Sequence, residues 1–148
     1  MNTLTARSAK DFGKAQQLAF IEKWLNFFRG RSNDLLSFEA VKQYLKIKKP
    51  INKGLQEIEL KNIVGSVSKY RNFSRSFLPK NYEDEERWRR VDSLFYNQGF
   101  EPIEVYKVGQ VYFVRDGNHR VSVNRTHGVT TIEAYVTEYK TDVPIDED

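Results

Sequence analysis

The pentapeptide Asp116-Gly117-Asn118-His119-Arg120 stands between the apolar run Val111-Tyr112-Phe113-Val114 and the short segment Val121 to His127. Two folds compete for these letters. Asp-Gly between β-prone runs signals a two-residue hairpin, and Val121 and Val123 then alternate with Ser122 and Asn124 as a half-buried strand would. The alternative is a strand that passes through a glycine turn into a helix. Gly128 fits the position just past a helix end, and a new strand-like run, Thr131 to Tyr139, begins three residues later. That punctuation favours the helix, although two β-branched valines mean that packing has to hold it.

A strand-turn-helix has a chemical consequence. It brings free backbone N–H groups, an imidazole and a guanidinium to one point, which suits phosphate. Gly117 lets a phosphate approach the backbone, and Asn118 stands in the same turn. Arg120 offers a planar, permanently charged fork, and His119 can donate to an oxygen or shuttle a proton. Asp116 is the acid of the motif, placed to hold Mg²⁺ through water or to accept a substrate proton. Each residue also has a structural reading: Asp116 as a helix cap, His119 bonded to a carbonyl, Arg120 paired with Glu101, Glu104 or the acidic end of the chain.

The stretch Gly99 to Tyr139 resembles the N-terminal domain of chromosome-partitioning ParB proteins and the wider ParB/sulfiredoxin superfamily. Gly117 and Arg120 match that family's Gly-x-x-Arg turn, Glu101 to Val105 is similar to its Pro-Ile-x-Val strand, and Leu55 to Val64 is similar to its opening strand. Asp116, Gly117, His119 and Arg120 also resemble the Asp-Gly-His-His-Arg signature of ParB-like free-serine kinases, with Asn118 in place of the first His. The resemblance implies an α/β fold with a small mixed sheet and packed helices. It also implies a nucleotide (ATP, ADP or CTP) with Mg²⁺, bound through Gly117, Asn118, His119 and Arg120. Asp116 and His119 are then the candidate catalytic residues, with Glu101 or Glu104 as a second carboxylate. Sulfiredoxin chemistry is not expected, because it needs a cysteine in this turn and the chain has none. The sequence ends at Asp148, soon after its last strand, so the helix-turn-helix of partitioning proteins is not expected either.

With 148 residues, 39% of them hydrophobic, the chain can build one compact core and an appended piece. No apolar run approaches the roughly 18 residues that span a bilayer, and residues 1 to 14 lack a signal peptide's apolar centre, so a cytoplasmic location is expected. Two histidines and no cysteine exclude a histidine-rich or thiolate metal site. The net charge of +4 is uneven: residues 1 to 55 hold 11 Lys/Arg and 4 Asp/Glu, and residues 56 to 148 hold 13 and 16. A basic N-terminal region points to DNA as one partner, or to solvated helix faces.

Asp11 to Arg29 reads as an amphipathic helix closed by Gly30, and Ser37 is placed to cap a second helix from Phe38 to about Ile47. The basic connection Lys48 to Gly54 then divides a helical extension, residues 1–49, from a core at 50–141, with an acidic tail at 142–148. Within the core, Glu57 to Leu60 reads as a strand and Asn81 to Gln98 as a helix. Ile103 to Val108 and Val111 to Arg115 form a hairpin about Gly109-Gln110. The aperiodic stretch Gly65 to Pro79 mixes Lys69, Arg71 and Arg75 with Tyr70, Phe73 and Phe77. It is either a loop pinned by aromatic anchors or a surface that sets Arg71 or Arg75 over a bound nucleotide.

Overall fold

The computed structural model describes residues 3–30, 32–97 and 99–142. The chain divides into two units, one made of Met1–Ser32 and the other beginning at Asn33. The first unit is a single helix, α1 (Thr3–Phe28), which starts eight residues earlier than the apolar pattern predicts. No helix among the described residues is long and apolar enough to cross a membrane.

The second unit is mixed α/β. Its elements in chain order are β1 (Leu36–Ser37), α2 (Phe38–Tyr44), β2 (Ile51–Glu59), β3 (Ile63–Ser66), α3 (Glu85–Asn97), β4 (Ile103–Val108), β5 (Val111–Asp116), α4 (Asn118–Thr126) and β6 (Thr131–Glu138). Single 3₁₀ turns, Leu60–Asn62 and Tyr82–Asp84, precede β3 and α3. One six-stranded sheet runs β1-β3-β5-β4-β6-β2. The pairs β1/β3, β3/β5 and β4/β6 are parallel; β4/β5 and β2/β6 are antiparallel.

Alternation along the strands sorts side chains onto two faces. On one, Ile103, Val105, Tyr112 and Val114 join Val121 of α4 and the loop residues Phe73 and Phe77 in one apolar cluster. On the other, Phe38 of α2 lies against the rings of Phe113, Tyr106 and Tyr139 at 4.8 to 5.6 Å.

Two boundaries differ from the sequence reading. Residues 33–49 belong with the sheet, because Leu36 pairs with Gly65 and runs directly into α2, and the compact unit begins at Asn33. The Lys48 to Gly54 connection is mostly strand. Ile51 opens β2, and the loop-like letters Asn52-Lys53-Gly54 form a β-bulge in which Gly54 takes φ 72° and donates its N–H to Asn52 Oδ1 at 2.8 Å. Of the expected acidic tail only Asp142 is described, paired with Lys48 at 3.0 Å. Ser37 occupies the cap position of α2 without a side-chain cap bond. The stretch after β3 is a pinned loop: Phe73 and Phe77 are fully buried and stacked, ring centroids 5.7 Å apart.

Candidate functional site

The chain leaves β5 at Asp116, turns at Gly117 and enters α4 at Asn118. The turn is a glycine position on two counts. Its φ is 110°, and a Cβ there would stand 2.5 Å from Ile103 Cγ2. The valines that made a strand plausible are instead the buried side of a helix, since Val121 and Val123 both have 0% exposure. Helix α3 clasps α4 through Trp88 Nε1, which donates to Ser122 Oγ at 2.9 Å, and through Phe95, whose ring stacks on His127 at 4.3 Å.

The first turn of α4 has no side-chain cap. Val121 N–H is the first to bond within the helix, to Gly117 O at 2.9 Å, and the N–H groups of Asn118, His119 and Arg120 have no partner among the described residues. The side chains of this turn are fixed. Asn118, buried, accepts through Oδ1 from Ser66 Oγ at 2.7 Å, and the same hydroxyl accepts from Lys69 N–H at 3.0 Å. The turn is thereby tied to the loop that follows β3.

His119 is buried edge-on against Phe73, with Nε2 3.3 Å from Asp84 Oδ1. A carboxylate only accepts, so Nε2 carries the proton. Asp84 is held in turn by Asn72 Nδ2, which donates to its Oδ2 at 3.1 Å. Burial pushes the His119 pKa below the usual histidine value; Asp84 opposes that, while the charges of Arg87 and Lys69 add to it. The positive end of the helix therefore lies within the field of two further cations.

Arg120 acts as a clamp. Its Nη1 donates to the carbonyls of Glu101 (3.0 Å) and Pro102 (3.1 Å), and its Nη2 to Asp116 Oδ2 (2.9 Å), with the guanidinium side chain 21% exposed. Asp116 is 61% exposed, and its second oxygen has no partner among the described residues.

The predicted residues thus divide. Asp116, Gly117, Asn118, His119 and Arg120 come together, and Glu101 joins them through its carbonyl. Glu104 lies opposite Asp116 in the β4/β5 register, with its carboxylate 3.3 Å from Arg115 Nη1. Arg71 lies 5.5 Å from the centroid of the Tyr70 ring. Arg75 donates its backbone N–H to Asn33 O at 3.0 Å, and its charge adds to burial in lowering the pKa of Arg125, in the last turn of α4.

Asp84, Ser66 and Asn72 have no part in the sequence reading of the site, and Lys69 enters it only within the mixed basic and aromatic stretch Gly65 to Pro79. Asp84 and Arg87 lie in a charge-rich segment whose acids suit a helix dipole, so nothing local marks them out. Among the described residues no three His, Asp or Glu side chains converge to hold a metal. Asp116 supplies one carboxylate, which suits Mg²⁺ only as a water-rich ion shared with phosphate oxygens.

No family model matches this sequence. No curated protein matches it either. Among solved structures, sulfiredoxin from Arabidopsis thaliana is similar at 20% identity and a TM-score of 0.45, over 58% of this chain and 86% of that one.

Proposed function

We propose that this chain is a ParB-like module that binds the phosphates of a nucleotide at the N-terminus of α4, with Mg²⁺, in a regulatory or DNA-associated role. The observation that carries the reading is the uncapped first turn of α4, whose N–H groups have no partner among the described residues and which lies in the field of Lys69 and Arg87. Phosphate oxygens accept from these N–H groups, and Lys69 and Arg87 offset their charge. Gly117 keeps the approach clear, and Arg120 holds the turn in shape by tying Asp116 to the 101–102 backbone. The motif resemblance to ParB-like proteins points the same way.

Calorimetric titration with ATP, ADP, CTP and GTP plus Mg²⁺ tests this reading. Selective binding is expected, and the double variant Lys69→Ala/Arg87→Ala should weaken it about a hundredfold while remaining folded. Silence from all four nucleotides overturns the reading.

The Glu104/Asp116 register favours a second, enzymatic reading, as a nuclease or phosphotransferase in which the paired carboxylates position metal or a nucleophile. Nucleotide or DNA turnover that disappears in Glu104→Gln would establish it, with His119 as the proton carrier.

DNA association rests on the basic charge of the N-terminal region. Charge reversal at Lys10, Lys14 and Lys23 of α1 should then remove a salt-dependent DNA affinity. Unchanged binding would end that idea.

A further inference from the structure

The two edges of the sheet are unlike. At one, β1 is two residues long and offers almost no backbone to pair with. At the other, β2 runs for nine residues and pairs, among the described residues, with β6 alone. A long edge strand presents a row of N–H and C=O groups on which another strand can form.

Which groups face outward follows from one bond. Leu60 N–H donates to Thr130 O at 2.9 Å, so Glu59 and Thr131 are a pair that exchanges no hydrogen bonds of its own. The register from Gly54 to Glu59 is unbroken, and its alternation therefore directs the N–H and C=O of Leu55, Glu57 and Glu59 away from β6. Their N–H groups have no partner among the described residues.

The side chains of this edge alternate as well. Ile58 joins Ile132, Ala134 and Val136 of β6 in the core, whereas Leu55 and Glu57 face the other way, opposite Tyr135 and Glu133. Leu55 and Tyr135 are 51% and 52% exposed. Glu57 and Glu133 are like charges set directly opposite each other, which costs stability, and neither has an ion pair among the described residues. The bulge leaves Lys53 without a place in the β2/β6 register, and its Nζ is 3.6 Å from Glu138, beyond hydrogen-bond length. The edge thus carries a cation before an apolar centre and acids after it. Run backwards, it complements itself.

We infer that β2 pairs antiparallel with β2 of a second copy of this chain, about a two-fold axis at Leu55, joining two six-stranded sheets into one. Leu55 of each copy exchanges N–H···O bonds with Leu55 of the other, and Lys53 of each stands opposite Glu57 of the other. The Leu55 and Tyr135 side chains of both copies line one face across the seam, and each lysine supplies the cation that the Glu57/Glu133 pair lacks. Sliding the strands by two residues sets Leu55 against Glu57 or Lys53, and sliding by one opposes groups that already face β6. The inference is independent of the nucleotide reading, because β2 contributes no residue to the α4 turn.

The test is sedimentation equilibrium of the full chain from about 1 μM to about 1 mM, with amide hydrogen exchange at both ends of that range. A monomer–dimer equilibrium is expected, with exchange at Leu55 and Glu57 slowed in the concentrated sample. Glu57→Lys, at an exposed position, sets lysine against lysine twice and should weaken dimerisation at least about tenfold; adding Lys53→Glu should restore it. Leu55→Lys should weaken it likewise and serves if Glu57→Lys fails to fold. A chain that stays monomeric throughout, leaving this edge to a different strand, would overturn the inference. So would a dimer that keeps its affinity in both single variants, or one whose Leu55 and Glu57 amides exchange as in the monomer. Failure of the charge swap to restore affinity would overturn the register.

Discussion

The two ends of α4 are built in opposite ways. At the C-terminal end the carbonyls are closed: His127 N–H bonds to Val123 O, Gly128 N–H to Arg125 O and Val129 N–H to Asn124 O, all at 3.0 to 3.1 Å. At the N-terminal end three N–H groups are open among the described residues, and no side chain of these residues caps them. Both ends turn on a glycine with positive φ, yet a Cβ at Gly128 would meet nothing within 4 Å, whereas one at Gly117 would strike Ile103. Both also carry an arginine, but Arg120 is bonded on both terminal nitrogens, whereas the Arg125 side chain, half-buried, makes no hydrogen bond or ion pair among the described residues. A helix whose acceptors are closed and whose donors are open keeps its positive pole available for a ligand.

The glycines offer the sharpest way to break this comparison. Gly117→Ala combines left-handed strain with an overpacked contact and should cost about 2–5 kcal/mol in chemical denaturation. Gly128→Ala meets strain alone and should cost about 1 kcal/mol. Equal losses would mean that the close approach to Ile103 does not matter.

The arginines come next. Arg120→Ala removes three charge-assisted bonds around the turn and should destabilise by about 2–3 kcal/mol. Arg125→Met gives up no bond and should stay within about 0.5 kcal/mol of the parent, or exceed it. A large loss on Arg125→Met would show that Arg125 has a structural partner.

The smallest expected effect is on pH dependence. Because the His119 pKa is lowered on folding, the unfolded chain binds more protons as pH falls through the free-histidine range, near 6.5. Stability contributed by this residue is therefore present above that range and declines below it. In His119→Gln the stability profile between pH 7 and 5 should be flatter than in the parent. An unchanged slope would remove His119 from that account. Phosphate bound at the turn favours the imidazolium, so affinity should rise as pH falls in the parent and not in the variant.

Much of this arrangement was legible in the sequence, and the failures have physical causes. Gly128 marks the end of α4 and so favours helix over strand in the sequence; the valine alternation misleads because Val121, Ser122, Val123 and Asn124 are all buried in this short helix. The hairpin about Gly109 and the helix after Asn81 followed from turn and dipole chemistry, and Gly109 takes φ 61°. The start of β2 was hidden because its bulge is written in loop letters, Asn52-Lys53-Gly54. Residues 33–49 were grouped with α1 because β1, two residues long, carries no period of its own. Asp84 escaped because its partner, His119, is 35 residues away in sequence and joined to it only by tertiary packing. Arg71 and Arg75 were read from composition alone, which does not say which way a pinned loop faces.

The account rests most directly on the open turn of α4, so the deciding measurement is an amide-resolved titration with Mg²⁺-pyrophosphate. Saturable shifts centred on Gly117, Asn118, His119 and Arg120, reduced in Lys69→Ala/Arg87→Ala, are the predicted result. A saturating response that leaves these amides unmoved, or no response at all, would contradict it.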